Sequence, residues 1–219
     1  MKQLIVFAAV LAAGCGKEPV YNGKPLSAWR TEANQGDAAT RVVALKAIGS
    51  IGEEAKPAVP EVTAALQDSN DTVRIEAALA LWSIGPKAAA AVPDLVAALK
   101  DKNADVRMSA AGALGEFGSA AQEAVPALAD VLKDKDENVR YAVAKALGRF
   151  GRDAVAAVPA MADALKDKSS NVRMGVAYAL AAIGPDAAAA LPALQAALSE
   201  KDPQVRSAVA HALGRVQKK

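Results

Sequence analysis

The strongest constraint on this chain is a dipeptide that returns at a fixed interval. Val73-Arg74, Val106-Arg107, Val139-Arg140, Val172-Arg173 and Val205-Arg206 are spaced 33 residues apart, and Thr40-Arg41 sits one period upstream. A period of that size marks a stacked repeat architecture, in which each copy of one unit buries its apolar face on its neighbours. Six copies account for almost the whole chain of 219 residues.

Punctuation within the period is equally regular. Gly52, Gly85, Gly118, Gly151 and Gly184 each follow an apolar run, where glycine in the αL conformation closes a helix. Pro60, Pro93, Pro126, Pro159 and Pro192 stand after a short Ala-rich link and open a first helix, to which their fixed φ is suited. Asp37, Asn70, Asn103, Asp136, Ser169 and Asp202 share one position ahead of the dipeptide, and all belong to the preferred N-cap types. A second helix of about fourteen residues follows each. Counted from the arginine, apolar residues fall one before it and three, four, seven and ten after it, the spacing of one helix face. Hydrophobic residues make up 53% but aromatics only 4%, which favours close-packed helices over a β-sandwich. The expected fold is all-α: a right-handed α-solenoid of six helical pairs over residues 22–219. In the first pair Ser27 replaces the proline as a candidate N-cap, and Trp29 is expected to seal the open end. Ser207, His211 and Arg215 make the last second helix more polar, as a terminal repeat requires.

The period and these motifs resemble HEAT repeats, in the variety found in phycobilisome lyase-like HEAT proteins. That resemblance implies a ladder between adjacent repeats, formed by an acid at the end of the first helix and an arginine in the second. The matching pairs are Asp68 with Arg74, Asp101 with Arg107, Asp134 with Arg140, Asp167 with Arg173 and Glu200 with Arg206. The first repeat departs, with Gln35 before Arg41. The resemblance also suggests bilin attachment as an activity.

The N-terminus reads as an address. Lys2 supplies a positive start, and Leu4 to Ala13 form an apolar stretch too short to span a ~30 Å hydrocarbon core as a helix. Leu11-Ala12-Ala13-Gly14-Cys15 resembles the bacterial lipoprotein lipobox, departing from its commonest form by Ala12 where Leu is usual. Residues 1–14 are then a signal peptide, Cys15 the lipidated residue, and residues 15–21 a short tether. An exported, membrane-anchored lipoprotein follows, with the outer membrane favoured in a two-membrane cell because Gly16 stands where an inner-membrane retention signal places Asp. The alternative is an ordinary secretory signal with an incidental cysteine.

Cys15 and His211 are the single residues of their kinds, so an internal disulfide and the usual zinc sites are excluded, and no metal or cofactor is expected. The 26 basic and 24 acidic residues are finely mixed and give a net charge of +2, so no single-sign field is expected to draw nucleic acid. Carboxylates occupy cap and ladder positions, and no glycine opens a phosphate-binding loop. Catalysis is therefore not expected. Positions one, five and eight after each arginine face away from the core, yet they hold large residues. The candidate partner-binding face comprises Ile75, Leu79, Trp82, Met108, Tyr141, Lys145, Met174 and Tyr178, with Lys46 and Arg149 among them. Alternatively, adjacent second helices cover this stripe themselves, since Gly49, Gly115, Gly148 and Gly214 at the Trp82 position suggest close helix approach. The expected function is a monomeric, non-catalytic scaffold that binds a protein or peptide through a concave face lined by the second helices. A bilin lyase-like or chromophore-binding protein is one alternative, and a nucleic-acid-binding HEAT protein another.

Overall fold

Each period folds as a helical hairpin because its two helices start and stop on local signals. In this computed structural model, which describes residues 18–218, the chain divides into two units between Ala91 and Val92. The first unit holds the hairpins α1 (Leu26–Gln35) with α2 (Ala38–Ile51) and α3 (Val59–Ala64) with α4 (Asp71–Ile84). The second holds α5 (Val92–Ala98) with α6 (Ala104–Phe117), α7 (Val125–Val131) with α8 (Glu137–Phe150), α9 (Val158–Ala164) with α10 (Ser170–Ile183), and α11 (Leu191–Ala196) with α12 (Pro203–Val216). The proposed signal peptide and Cys15 lie outside the described residues.

Every second helix is fourteen residues long and follows its predicted N-cap residue. Asp37, Asn70, Asn103, Asp136 and Asp202 accept backbone N–H groups of the first turn, as the residue types dictate. Ser169 makes no such side-chain bond. The dipeptide valines Val73, Val106, Val139, Val172 and Val205 are buried, as are the residues three and four positions beyond each following arginine, except Ala210 of the last repeat, which is exposed.

The glycines that end these helices do not adopt αL. Gly52, Gly85, Gly118, Gly151 and Gly184 have φ of 71°, 70°, 52°, 53° and 73°, but their ψ values run from −127° to −153°. That is mirror-image extended backbone, open essentially to glycine alone. It redirects the chain at once into a seven-residue 3₁₀ segment rather than a loose link: 52–58, 85–91, 118–124, 151–157 and 184–190. Three residues per turn put every third side chain on one side. The residues three and six after each glycine are alanines, from Ala55 and Ala58 to Ala187 and Ala190, and all are fully buried. The alanine-rich stretch is thus a packed layer, and the first helix continues from it without a side-chain cap.

The first hairpin is closed differently. Val20–Tyr21 and Lys24–Pro25 form a small antiparallel ribbon, β1 and β2, joined by Asn22-Gly23 with both residues at positive φ. Ser27 is not the N-cap of α1; Pro25 is, and the Glu18 carboxylate accepts hydrogen bonds from the Ser27 backbone N–H and hydroxyl. Trp29 is buried beneath the ribbon, donating its indole N–H to Tyr21 O at 3.3 Å under the Lys24 ammonium. Glu18 to Tyr21 therefore pack on the first repeat.

Second helices of adjacent repeats meet through small residues. The sixth residue after each arginine is alanine throughout, and Ala47, Ala80, Ala113, Ala146, Ala179 and Ala212 are all buried. In the first unit Gly49 of α2 abuts Ala80 of α4; in the second, Gly115 of α6 abuts Ala146 of α8 and Gly148 of α8 abuts Ala179 of α10. A Cβ at Gly115 would stand 2.7 Å from the Ala146 Cα, whereas one at Gly214 would meet nothing within 4 Å. Gly115→Ala should lower the melting temperature, with a cost of about 1–3 kcal/mol from overpacking. Gly214→Ala should raise stability by roughly 0.5–1 kcal/mol through helix propensity alone. Thermal melts of the two variants check this, and equal shifts would contradict the close approach.

The arginine ladder exists, but its pairing is offset from expectation. Arg74, Arg107, Arg140, Arg173 and Arg206 donate from Nη1 to the backbone carbonyls of their own corner, at Asp68, Asp101, Asp134, Asp167 and Glu200. The carboxylate comes from the following repeat: Arg41 Nε lies 2.8 Å from Asp68 Oδ2, Arg107 Nε 2.8 Å from Asp134 Oδ2, Arg140 Nε 2.6 Å from Asp167 Oδ2, and Arg173 Nη2 3.2 Å from Glu200 Oε2. Arg74 also pairs with Asp71 at 2.6 Å. The same-repeat acids thus contribute their main chain, while the side chains of Asp68, Asp134, Asp167 and Glu200 turn back to meet the preceding arginine. Asp68, Asp101, Asp134 and Asp167 each also accept the N–H of the N-cap residue two positions on. Gln35 leaves no arginine short, since Arg41 takes Gly36 O and the Asp68 carboxylate.

Burial pushes the Asp134 and Asp167 carboxyls up, but hydrogen bonds from Arg107 and Arg140, and from the Asp136 and Ser169 N–H groups, outweigh it and hold both below their ordinary value. The hydrogen bond to Asp167 raises Arg140 in turn. Carboxylates depressed on folding contribute stability above the unfolded pKa of ~3.9, and that contribution is lost as pH falls through the lower folded values. The melting temperature should therefore drop on acidification below about pH 4, and Asp167→Asn should flatten that drop. Arg140→Ala leaves Asp167 buried without its partner and should cost about 3 kcal/mol or more at neutral pH; an unchanged melt would rule the ladder out.

Candidate partner-binding face

Once the second helices are locked side by side, the positions one, five and nine after each arginine remain on the open side. In the first unit Ile75 and Leu79 are half-buried and Trp82 is 40% exposed. Leu79 lines a cleft with Tyr21, Lys46, Gly49, Glu76 and Ser83, in which Lys46 pairs with Glu76 at 3.4 Å. Ile75 and Trp82 do not line it.

The second unit carries the better-formed site. Tyr141, Lys145, Met174 and Tyr178 line one cleft of about 350 Å³ between α8 and α10, with Gly148 and Arg149 at its margin. Met108 is half-buried on α6 and stands outside this cleft. The Tyr141 ring lies along α10 because Gly175 has no side chain: a Cβ there would approach the ring to 3.2 Å. The Lys145 ammonium sits 5.7 Å from the centre of that ring. Tyr178 is 52% exposed, and its ring centre lies 6.2 Å from that of His211 on α12. Arg149 pairs with Glu116 of α6. The arrangement offers aromatic faces, a thioether and cations on a rigid helical floor, the composition of a recognition surface.

Two corrections follow. The position eight after the arginine is a helix-contact position at Gly49, Gly115 and Gly148, so the covered-stripe alternative holds at those three. Trp82 in the same row is 40% exposed, and the stripe loses position eight at those glycines. Position nine replaces it: Glu116, Arg149 and Arg215 are exposed there. The signal was available, since nine follows five by one helical turn. Exposed His211 meets Tyr178, and among the described residues no group of three His, Cys, Asp or Glu side chains is placed to hold a metal ion.

Paired helices repeated in register at 33 residues define an α-solenoid repeat protein. The chain belongs to the HEAT-repeat family, whose model matches residues 26–92, 59–135, 92–158 and 125–214. It is similar to an engineered protein of known structure, at 24% identity and a TM-score of 0.70 over 88% of this chain and 96% of that one. A designed armadillo repeat protein aligns at 19% identity and a TM-score of 0.67, covering 88% of this chain and all of that one (100%). The complex of CpcE and CpcF of phycocyanin lyase from Nostoc sp. PCC7120 aligns at 30% identity and a TM-score of 0.59, covering 74% of this chain and 65% of that one. No curated protein matches the chain.

Proposed function

We propose that this HEAT-repeat protein is a non-catalytic scaffold that holds a protein or peptide on the open face of its second helices, at a membrane to which lipidated Cys15 anchors it. The cleft between α8 and α10 carries the reading. Its side chains are not demanded by the fold, since the position of Lys145 and Tyr178 is Lys46, Leu79, Gly112 and His211 in other repeats. A half-exposed tyrosine beside a methionine and a lysine is poorly used in water and well used against a partner. The same architecture serves peptide recognition in computationally designed armadillo repeat proteins, a likeness of fold at 20% identity. The anchor rests on the Leu11-Ala12-Ala13-Gly14-Cys15 sequence.

Crosslinking in intact cells, comparing wild type with Tyr178→Ala and Tyr141→Ala, tests the face. Each substitution should weaken partner recovery by about tenfold, the loss typical of an aromatic anchor, and identical crosslinked sets would refute the site. Cys15→Ser should move the protein from the membrane to the soluble fraction.

A second reading, chromophore handling, is favoured by the alignment with the CpcE–CpcF complex. A tetrapyrrole absorbance shift on mixing, lost in Tyr178→Ala, would support it against the scaffold.

A further inference from the structure

Seven lysines gather on one edge of the second unit, and the fold does not ask for them. Lys100-Asp101-Lys102, Lys133-Asp134-Lys135 and Lys166-Asp167-Lys168 recur at the corner between first and second helix, and Lys201 follows at the fourth corner. All seven are exposed. The corners are neighbours, because Arg107 reaches Asp134, Arg140 reaches Asp167 and Arg173 reaches Glu200. Lysines of successive corners consequently share clefts. Lys100, Lys102, Lys133 and Lys135 line one of about 500 Å³; Lys133, Lys166 and Lys168 line the next, of about 420 Å³.

We propose that this lysine edge docks on the phosphate headgroups of an anionic lipid surface. The acids set among the lysines do not neutralise them. Asp134, Asp167 and Glu200 are engaged by Arg107, Arg140 and Arg173. The further acids in the linings are Asp101, which accepts the Asn103 N–H, and Asp130 in the first cleft and Asp163 in the second. Lys100, Lys133, Lys135, Lys166, Lys168 and Lys201 form no salt bridge among the described residues.

Local structure accounts for only three of the seven. Lys100, Lys133 and Lys166 follow the C-terminal ends of first helices, where a cation is favourable. Lys102, Lys135, Lys168 and Lys201 directly precede the N-caps of second helices, at the positive end of the helix dipole, where a cation is unfavourable. The first unit has Gly36 and Ser69 at that position. Its Arg74 nonetheless bonds the Asp68 and Ser69 carbonyls at 2.7 and 3.3 Å, as Arg107 bonds those of Asp101 and Lys102 at 2.8 and 3.3 Å. The corner closes equally well without lysine, so the lysines answer to something outside the fold.

The chemistry of the edge favours headgroups over nucleic acid. Corners 100–103, 133–136, 166–169 and 200–202 contain no aromatic residue on which a base could stack. The guanidiniums of Arg107 and Arg140, which could read base edges, are buried and engaged. Compact ammonium groups need only phosphate charge. A lipid anchor at Cys15 would hold the chain near such a surface, but the docking stands on the edge alone.

The test is sedimentation of the full-length chain with phosphatidylglycerol-containing vesicles, with pure phosphatidylcholine as the baseline for apolar insertion of residues 1–14. Preference for the anionic vesicles should be roughly tenfold or more and should fall with added salt. Replacing Lys135, Lys168 and Lys201 together by serine copies the Ser69 corner and should abolish that preference, whereas arginine at all three should preserve it. Lys56→Ser, in the first unit, should change nothing. Equal binding to both vesicle types, or a serine variant that binds like wild type, overturns the proposal. Lysine-dependent retention on an oligonucleotide without vesicle preference also overturns it, and assigns the edge to a soluble polyanion.

Discussion

A guanidinium closes each corner of the repeat, and Arg140 shows how much hangs on it. Where a helix ends, its last carbonyls lose their intrahelical partners and must be satisfied by something else. Arg140 donates to the carbonyls of Asp134 and Lys135, which holds the turn between α7 and α8. Its remaining donors reach Asp167 of the next repeat, whose carboxylate also accepts the Ser169 N–H that begins α10. The turn of one hairpin, the register of the stack and the start of the next helix are thereby one connected network. Buried ions of this kind cost desolvation that their attraction only partly offsets. Their main consequence is positional: neighbouring corners are fixed within hydrogen-bond tolerance of each other.

Fixed register lets small residues do the packing. Ala80, Ala146 and Ala179, six positions after their arginines, face Gly49, Gly115 and Gly148 at position eight of the preceding second helix. Backbones that approach so closely leave no room for adjustment, so the floor between α8 and α10 is rigid. Tyr141 and Tyr178 stand on that floor at positions the packing does not constrain. Recognition is thus placed on residues free to vary, while the residues that repeat hold the scaffold.

Charge illustrates how composition misleads when placement is unknown. The near balance of 26 basic and 24 acidic residues argued against any local field. Folding turns Asp134 and Asp167 inward to Arg107 and Arg140 and leaves Lys133, Lys135, Lys166 and Lys168 outside. An alternating sequence thus becomes a segregated surface, because the two signs of charge differ in which partner can reach them.

The helical pairs, the start of each second helix and the burial of the dipeptide valines were legible in the sequence alone, because they depend on interactions within a few residues: an N-cap side chain, a proline ring, a 3.6-residue period. Tyr141, Lys145, Met174 and Tyr178 were also found from spacing, since an outward position on one helix stays outward in a stack. Tertiary structure decided the rest. For Arg41, Arg107, Arg140 and Arg173 it placed the carboxylate partner 27 residues ahead rather than six behind, as with Arg140 and Asp167. It turned position eight into a helix contact at Gly49, Gly115 and Gly148, gave Trp29 its ribbon of residues 20–25, and joined separate lysine pairs into one edge. These outcomes depend on which repeat lies against which, and no periodicity within a single repeat contains that information.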